Sequence, residues 1–349
     1  MTTLGIGGAA RYFADCASLD TLAAGVAWAG VQALPMVVLG GGSNIVVADH
    51  VINSLVLRVA IRGIAARVDD DQTILTVGAG EEWDAFVAYT IKGNLAGLEC
   101  LSGIPGRVGA TPIQNVGAYG QETSETLQSV EAFDLATSEV VCFDQQACEF
   151  GYRVSRFKGR DQGRYVITRV SYRLQPAGAP AVRYGELQRY LEENGAMPPT
   201  LAQVRDAVIA IRRRKAMVID PLDADSRSVG SFFMNPTVTE ETFERIRSRA
   251  ARTLHSLEAM PAFPASDSRV KLSAAWLIER AGIHRGTIHG NVGTSTRHAL
   301  AIINRGNGTA REVLELCRII QSRVRDVFGV ELTPEPVFIG FEENVIRDT

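Results

Sequence analysis

The sequence predicts an α+β fold that is divided into more than one domain. The chain has 349 residues, which is the length of two or three ordinary domains. Patterns typical of helices and of strands are mixed along it, but they do not follow the strict strand–helix–strand rhythm of a doubly wound parallel sheet. There are 33 glycines, where average usage predicts roughly 24, and the excess is concentrated in a few places.

Composition and charge exclude several classes of protein. No apolar run approaches the ~18–20 residues that cross a bilayer, and the first residues lack the pattern of a signal peptide. A net charge of −3 gives no general basic field for nucleic acid, so an anionic substrate would need a local cationic pocket. The 5 cysteines are scattered, without a Cys-x-x-Cys pair or a Cys/His cluster. We therefore expect a reduced, cytoplasmic protein without a metal site.

The first part of the chain alternates helix and strand signals. Ser18 is a plausible N-cap for a helix that runs through Ala29. Residues 36–39 form an apolar strand pattern that leads directly into a run of glycines, and a second such pattern follows at 45–47. Further elements are expected as strands at 55–59 and 73–77 and as a helix near 81–92.

Strands dominate the middle of the chain and helices the remainder. Thr200 and Gln203 form a capping box before an apolar stripe at helical spacing, and the helix that begins at Thr309 ends before Gly329. Another helix is expected at 271–281. Strands are expected at 130–134, 139–143, 165–174 and 337–339, and an irregular connection at 175–182.

The first glycine cluster is the run Gly40, Gly41, Gly42, Ser43 and Asn44 between two apolar strands. Without Cβ atoms, the chain can present successive backbone N–H groups to an anion, and the two polar side chains add donors. Two interpretations remain open, a pyrophosphate cradle and a glycine-rich hairpin turn. The run is neither the glycine motif of a Rossmann fold nor a Walker loop.

The second cluster, residues 103–120, has five glycines in 18 residues. It is too long for a turn, and its apolar residues argue against disorder. Long loops in compact domains are usually functional or disordered, and a backbone that wraps closely around a large flat ligand needs missing side chains. A ligand is the interpretation that we favour, and close packing of backbone on backbone is the alternative.

Several motifs occur in a fixed order along the chain. They are TLGIGG at 3–8, GGGSN at 40–44, IPG at 104–106, NVGAYG at 115–120, FGYRxSxFK at 150–158, GSFFxNP at 230–236 and PEP at 334–336. Together they resemble the UDP-N-acetylenolpyruvoylglucosamine reductase (MurB) family, in the longer type with a substrate-closing tyrosine loop, and the resemblance covers nearly the whole chain. It implies a two-part FAD-binding fold of the vanillyl-alcohol-oxidase/PCMH-like kind, at 1–60 and 61–200, a substrate domain at 201–332, and a return of 333–349 to the first part.

The resemblance implies an activity and its cofactors. In this family NADPH reduces a non-covalently held FAD, which then delivers hydride to the enolpyruvyl ether of a UDP-sugar and yields UDP-N-acetylmuramate, a peptidoglycan precursor. We accordingly expect a cytoplasmic monomer that binds neither nucleic acid nor membrane. The residues that would hold FAD are Gly40, Gly41, Gly42, Ser43, Asn44, Ile104, Pro105, Gly106, Gly109, Ala110, Gln114, Asn115, Gly117 and Ala118.

Three residues match the family's catalytic positions. Arg153 is a permanent cation that can grip a carboxylate with two parallel bonds and stabilise an enolate. Ser231 matches the proton donor, although a hydroxyl protonates only a strongly basic carbanion held close by. Glu335 matches a glutamate beside the enolate. Without the resemblance, we would interpret these residues as a surface ion pair, a turn serine and a solvated loop acid.

Five further residues match substrate contacts: Tyr119, Tyr184, Lys215, Asn235 and His298. Lys215 ends the run Arg212–Lys215, which is typical of a solvated helix face and would also supply cations for a diphosphate. The sequence departs from the family in two places, because Met234 stands where some relatives have lysine and His298 where some have glutamine.

Two other functions are weighed against the reductase. A flavin oxidase of the same fold acting on an alcohol or sugar often tethers FAD to histidine or cysteine, and neither residue occurs in the glycine clusters. A nucleic-acid-binding module using 212–215 is opposed by the overall acidity and by the lack of a recognised motif.

Overall fold

The computed structural model describes residues 2–254, 260–265 and 268–342 and confirms the α+β class. The helices are α1 (Leu19–Val31), α2 (Trp83–Lys92), α3 (Gly185–Glu193), α4 (Leu201–Arg214), α5 (Glu240–Leu254), α6 (Ala274–Arg280) and α7 (Ala310–Phe328). The strands are β1 (Ala10–Cys16), β2 (Met36–Leu39), β3 (Ile45–Val47), β4 (Ile52–Val59), β5 (Ile64–Asp69), β6 (Gln72–Gly78), β7 (Leu95–Ala96), β8 (Gly117–Ala118), β9 (Gln121–Glu122), β10 (Leu127–Asp134), β11 (Val140–Asp144), β12 (Tyr165–Pro176), β13 (Thr237–Thr239), β14 (Ala262–Pro264), β15 (Arg269–Leu272), β16 (Ile288–His289), β17 (Val292–Thr294), β18 (Ile302–Asn304) and β19 (Val337–Ile339). Within the described ranges, no helix is both long enough and apolar enough to span a bilayer.

The chain forms two compact units, neither of which is continuous in sequence. We call residues 10–42 and 53–218 the N-terminal unit, and residues 1–9, 43–52 and 219–349 the C-terminal unit. Of the three boundaries expected from the sequence, those at 60 and 200 fall inside the N-terminal unit and the one at 332 falls inside the C-terminal unit. The subdivision of the N-terminal unit into two FAD-binding parts stays a prediction.

The N-terminal unit contains two sheets and one large apolar core. One sheet has the strand order β1-β4-β2, and the other has the order β11-β10-β12-β6-β5, with β7 beside β12. Trp83 and Phe86 of α2 lie three residues apart and pack against Tyr172 of β12, with ring centroids 5.9 and 5.3 Å from the tyrosine ring. All three side chains are fully buried, so they fix α2 on the central sheet.

Helices α3 and α4 enclose a smaller core in the same unit. As predicted, Thr200 and Gln203 form a reciprocal capping box at the start of α4. Val204, Val208 and Ile211 are buried in this smaller core, together with residues of α3. The sequence signal therefore identified both the start and the buried face of α4.

The C-terminal unit is built around α7. Its N-terminus has the predicted Thr309–Glu312 capping box, and its C-cap is Gly329 at φ +71°. The Asp49 carboxylate adds a second cap, since it accepts the backbone amides of Ala310 at 2.8 Å and Arg311 at 3.1 Å. Strand β3 pairs in parallel with β19, so two segments almost 300 residues apart are joined in one unit.

The structure corrects one expected helix and adds elements that the sequence analysis did not identify. The helix expected at 271–281 spans only Ala274–Arg280, because the residues before it form β15 between β13 and β14. Gly282, at φ +86°, follows its end as expected. Helices α3 and α5 were not predicted. Both have strongly charged sequences with few large apolar residues, although those residues do recur at helical spacing.

We expect Asp49→Ala to destabilise the C-terminal unit. The change leaves two amides of the first turn of α7 without their acceptor, so the free energy of unfolding should fall by about 1 kcal/mol. Urea denaturation followed by far-UV circular dichroism measures it. Glu331→Ala is the control, because it removes an acid whose 3.6 Å pair with Arg325 is exposed. Equal effects of the two changes would contradict a specific capping role.

Candidate active site

The two glycine clusters meet in the N-terminal unit. A Cβ atom on Gly41 would lie 2.8 Å from Cα of Gly106, and one on Gly40 would lie 3.8 Å from the Arg107 side chain. The strands flanking the first cluster do not pair with each other, because β2 pairs with β4 and β3 with β19. The hairpin interpretation is therefore wrong, and residues 40–42 instead pass alongside the second cluster.

The second cluster is held by backbone contacts along residues 79–83. Gly106 accepts the amide of Trp83 at 3.0 Å, and Gly109 donates to the carbonyl of Ala79 at 2.9 Å. A Cβ on Gly109 would come within 2.5 Å of the Ala79 Cβ. At these positions glycine serves close backbone packing, the alternative considered for this cluster.

Asn115 is an internal brace of the loop. Its side chain is fully buried, and its Nδ2 donates to Oε2 of Glu122 at 2.7 Å and to the carbonyl of Gly151 at 3.1 Å. Its Oδ1 accepts the amide of Ser124 at 3.0 Å. The backbone of Asn115 is left-handed, with φ +46°. These bonds commit the amide to holding the loop against 122–124 and 151.

Arg153 projects from a tight turn onto the end of the same loop. Its own φ is +58°, and Gly151 and Val154 form a bridge across the turn. Nη2 donates to the carbonyl of Gly117 at 2.8 Å, and Nη1 to the carbonyl of Asn115 at 3.5 Å. A Cβ on Gly117 would lie 3.3 Å from Nη1, so glycine leaves room for the guanidinium. The expected catalytic arginine is thus fixed at the expected cofactor loop.

The other expected cofactor residues of this unit lie along the same path. Ile104 and Ala118 pack against the main core, and Gly117 and Ala118 form β8, which pairs with β9. Ala110 closes a 3-10 turn that spans Val108–Ala110. Pro105 and Gln114 lie between these points, and Gly42 has φ +66°.

Tyr119 and Tyr184 form an aromatic pair beside the loop. Their rings meet edge to face, with centroids 5.6 Å apart and an interplanar angle of 86°. Burial raises the pKa of the Tyr119 phenol to about 12, so it stays protonated at neutral pH and can donate a hydrogen bond. The structure thus brings together two tyrosines that lie 65 positions apart in the sequence.

The basic run on α4 divides into different environments. Lys215 Nζ pairs with Oε2 of Glu186 at 2.6 Å, while Arg213 and Arg214 are exposed. Arg212 points inward, and its Nη2 donates to the Met217 carbonyl at 2.7 Å. Its Nε is buried and has no hydrogen-bond partner in the part of the chain that the structure describes. Burial lowers the pKa of Arg212, and the charge of this side chain acts on Tyr119.

Sequence reasoning named Lys215 and missed Arg212 as a site residue. The available signal was the helical spacing, because Arg212 follows Val208 by four residues and shares its buried face. Because all four residues of the run 212–215 were interpreted as a solvent-exposed helix face, the inward direction of Arg212 was not predicted.

The C-terminal unit brings Ser231 and Glu335 onto adjacent extended segments. The amide of Glu335 donates to the carbonyl of Phe232 at 2.9 Å, and the Phe232 amide donates to the carbonyl of Leu300 at 2.8 Å. The side chain of Asn44 donates to the backbone carbonyl of Glu335 at 3.3 Å. Asn44 and Ser43, expected at the cofactor, therefore belong to the unit that holds the expected proton donor.

Asn235 and His298 lie in the same unit in different settings. Oδ1 of Asn235 accepts the amide of Ala274 at 2.9 Å and so caps α6. His298 lies in a loop anchored by the buried Asp225, which accepts the hydroxyls of Ser295 at 2.9 Å and Thr296 at 2.6 Å. The predicted residues therefore fall into two groups. The N-terminal unit holds Arg153, Tyr119, Tyr184, Lys215 and the cofactor residues 40–42 and 104–118, and the C-terminal unit holds the rest.

Comparisons with known proteins identify both parts of the chain. Residues 10–144 match the FAD binding domain model, and residues 220–339 match the model of the C-terminal domain of UDP-N-acetylenolpyruvoylglucosamine reductase. The first match begins at Ala10, the first residue of β1. The second begins at residue 220, one residue after the last segment of the C-terminal unit begins.

Curated relatives and a solved structure resemble nearly the whole chain. The UDP-N-acetylenolpyruvoylglucosamine reductase of Thermobifida fusca is 48% identical, covering 97% of this chain and 95% of its own length. That of Mycobacterium tuberculosis is 42% identical, over 97% and 93%. The crystal structure of the Thermus caldophilus enzyme matches with a TM-score of 0.64 at 25% identity, over 97% and 95%. The chain therefore belongs to the UDP-N-acetylenolpyruvoylglucosamine reductase family, whose members are FAD-dependent oxidoreductases.

Proposed function

We propose that the chain reduces the enolpyruvyl ether of UDP-N-acetylglucosamine to UDP-N-acetylmuramate, with NADPH as the source of electrons and non-covalent FAD as the carrier. The observation that carries this proposal is the placement of Arg153. A permanently charged guanidinium is fixed by two backbone carbonyls at the end of the glycine-rich loop of an FAD binding domain. Such a cation suits a substrate whose double bond is conjugated to a carboxylate.

The residues of the loop fit a dinucleotide cofactor. Gly40–Gly42 and residues 104–118 would hold FAD, together with Ser43 and Asn44. Where these segments pass one another, Gly41 leaves no space for a Cβ. Successive backbone N–H groups of residues 40–42 would serve as donors to a pyrophosphate. Neither segment contains a histidine or cysteine for a covalent tether. When bound, FAD would supply the hydride chemistry between NADPH and the substrate double bond.

Arg153 would bind the substrate carboxylate and stabilise the negative charge that develops on it. Since its Nη2 is already held by the Gly117 carbonyl at 2.8 Å, the guanidinium has little freedom to lose when charge develops. Preorganised cations of this kind are most effective where water is excluded.

Ser231 would donate its hydroxyl proton to the carbon next to the carboxylate, and Glu335 would stabilise the enolate together with Arg153. The Glu335 amide donates to the carbonyl of Phe232, the residue after Ser231, so the segments that carry the two residues are held side by side. Tyr119, Tyr184, Lys215, Asn235 and His298 would bind the sugar nucleotide, and Arg212 would add a half-buried cation to this set. Met234 puts an uncharged side chain where some relatives have a lysine.

The proposed reaction supplies a peptidoglycan precursor. We accordingly propose a role in the cytoplasm, as a monomer, in cell wall biogenesis and hence in cell shape, division and the cell cycle. The family membership and the 97% coverage by named reductases favour this activity over an oxidase of the same fold.

The class of reaction is tested by the colour of the purified protein. The protein should be yellow with FAD, bleach with NADPH in the absence of oxygen, and regain its colour when the enolpyruvyl sugar nucleotide is added. Reoxidation by oxygen but never by that substrate would favour an oxidase. A colourless protein that does not take up FAD would contradict both.

We expect Ser231→Ala to separate the two half-reactions. NADPH should still reduce the flavin at a nearly normal rate, whereas reoxidation by the substrate should slow by about 10²–10⁴-fold, since general acid catalysis is lost. Glu335→Gln should show the same split. Stopped-flow absorbance measures each half separately, and Ser322→Ala, at a partly exposed serine of α7, is the control. Equal slowing of both halves would refute the proton-donor role.

We expect Arg153→Lys to weaken substrate binding as well as slow reoxidation. Lysine keeps the charge but loses the planar fork, so the dissociation constant for the substrate should rise by about tenfold or more. Titration of the flavin spectrum with substrate measures it. Arg156→Lys is the matched control, because Arg156 lies in the next turn and pairs with Asp161 at 2.6 Å. An unchanged dissociation constant in Arg153→Lys would contradict a carboxylate contact.

A further inference from the structure

Tyr184 is carried by an irregular segment that connects β12 to α3. We call residues 177–184 the strap. It has no regular secondary structure, and Tyr184, which is 41% exposed, is the N-cap residue of α3. The position of the ring therefore depends on α3 and on what holds the strap.

The strap is held at Ala181 by a buried carboxylate. Oε1 of Glu99 accepts the backbone amide of Ala181 at 2.8 Å and Nε2 of Gln121 at 3.4 Å, and Oε2 accepts the amide of Gly97 at 2.8 Å. The exposed fraction of Glu99 is 1%. A carboxylate at that depth requires donors, and one of its three donors is the strap itself.

A second bond holds the other side of the same peptide unit. The Cys100 thiol donates to the carbonyl of Ala181 at 2.9 Å, so both backbone groups of Ala181 are bound by consecutive residues. Two positions further on, Arg183 pairs with Glu125 at 2.7 Å and donates to the carbonyl of Gly120 at 3.4 Å. The Arg183 pair is exposed, and such pairs contribute little, so the buried contacts at Ala181 dominate.

These contacts set the strap directly against the loop that carries Tyr119. Gln121, which donates to Glu99, also accepts the amide of Cys100 at 3.0 Å and lies two residues after Tyr119. Glu99 therefore joins the strap that bears Tyr184 to the loop that bears Tyr119. The edge-to-face contact of the two rings at 5.6 Å is the result.

We propose that Glu99 is a positioning residue for Tyr184, and that it thereby sets the affinity for the sugar nucleotide. This inference rests on the proposed function, because it assigns Tyr184 to that substrate. Glu99 is bound by protein donors on both oxygens and acts through the strap, not through contact with substrate.

Glu99→Gln tests the proposal with almost no change of volume. One acceptor oxygen becomes an NH2 group, which faces an N–H donor of Gly97 or Ala181, so one of the buried bonds is lost. Backbone amide exchange in the strap should accelerate. The dissociation constant for the enolpyruvyl sugar nucleotide, from stopped-flow reoxidation of the reduced flavin, should rise by about tenfold, as expected for one charged hydrogen bond. The limiting reoxidation rate should change by less than about twofold, since Glu99 touches no reacting atom.

A double-mutant cycle separates positioning from a general loss of stability. In a Tyr184→Ala background, Glu99→Gln should cause no further rise of the dissociation constant, because the ring it positions is absent. Asp134→Asn is the matched control. Asp134 is another buried carboxylate of this unit, with an exposed fraction of 2%, and it binds Arg164 at 2.8 Å, so its loss should leave substrate affinity unchanged.

Cys100→Ala provides a second variant if Glu99→Gln does not fold. It removes the bond to the Ala181 carbonyl without burying a new polar group, and it should shift strap exchange and affinity in the same direction. Unchanged exchange, or faster exchange with unchanged affinity, would overturn the proposal, as would additive effects in the cycle. Failure of the wild-type reduced flavin to be reoxidised by the enolpyruvyl substrate would instead refute the proposed function, and amide exchange would still decide whether Glu99 anchors the strap.

Discussion

The arrangement of the N-terminal unit depends on the contact between two bare stretches of backbone. Gly41 passes so close to Gly106 that a Cβ atom on Gly41 would overlap the backbone of Gly106, and Gly109 approaches Ala79 in the same way. These contacts place the second cluster along residues 79–83, at the start of a helix whose Trp83 is buried in the core. The residues further along the loop, from Asn115 to Tyr119, are therefore positioned by this packing.

The loop is completed by groups that act on its far end. Asn115 ties it to residues 122–124 and 151, and Arg153 closes it by binding two of its carbonyls. The same carbonyls orient the guanidinium of Arg153, so the order of the loop and the position of the cation depend on the same hydrogen bonds. A substitution of Arg153 therefore affects the order of the loop as well as the position of the charge, and its kinetic effects have to be separated from effects on loop order.

Much of this could be predicted from the sequence, and the exceptions have physical causes. Helix ends with local caps, such as Ser18, Thr200 and Thr309, were found because capping depends on neighbours three residues apart. The glycine clusters marked the loop, yet the pairing of Gly41 with Gly106 could not be predicted because it joins positions 65 residues apart. The inward direction of Arg212 and the hydrogen bond between Glu99 and the strap likewise depend on residues that are distant in the sequence. Among the site residues, Asn115 and Asn235 have side chains that serve the protein's own backbone, a role that a motif match does not reveal.

The pairing of β3 with β19 has a consequence for how this chain is made. A ribosome releases residues 43–52 early, but their partner strand and the helix that Asp49 caps appear only after residue 310. The early segment stays unpaired until almost 300 further residues have been synthesised, and its apolar strand residues are available to other partners during that time. A fragment that begins at residue 219 lacks this strand altogether and would expose the edge of β19. The pairing of β3 in the C-terminal unit can therefore be completed only after residue 339 has been synthesised.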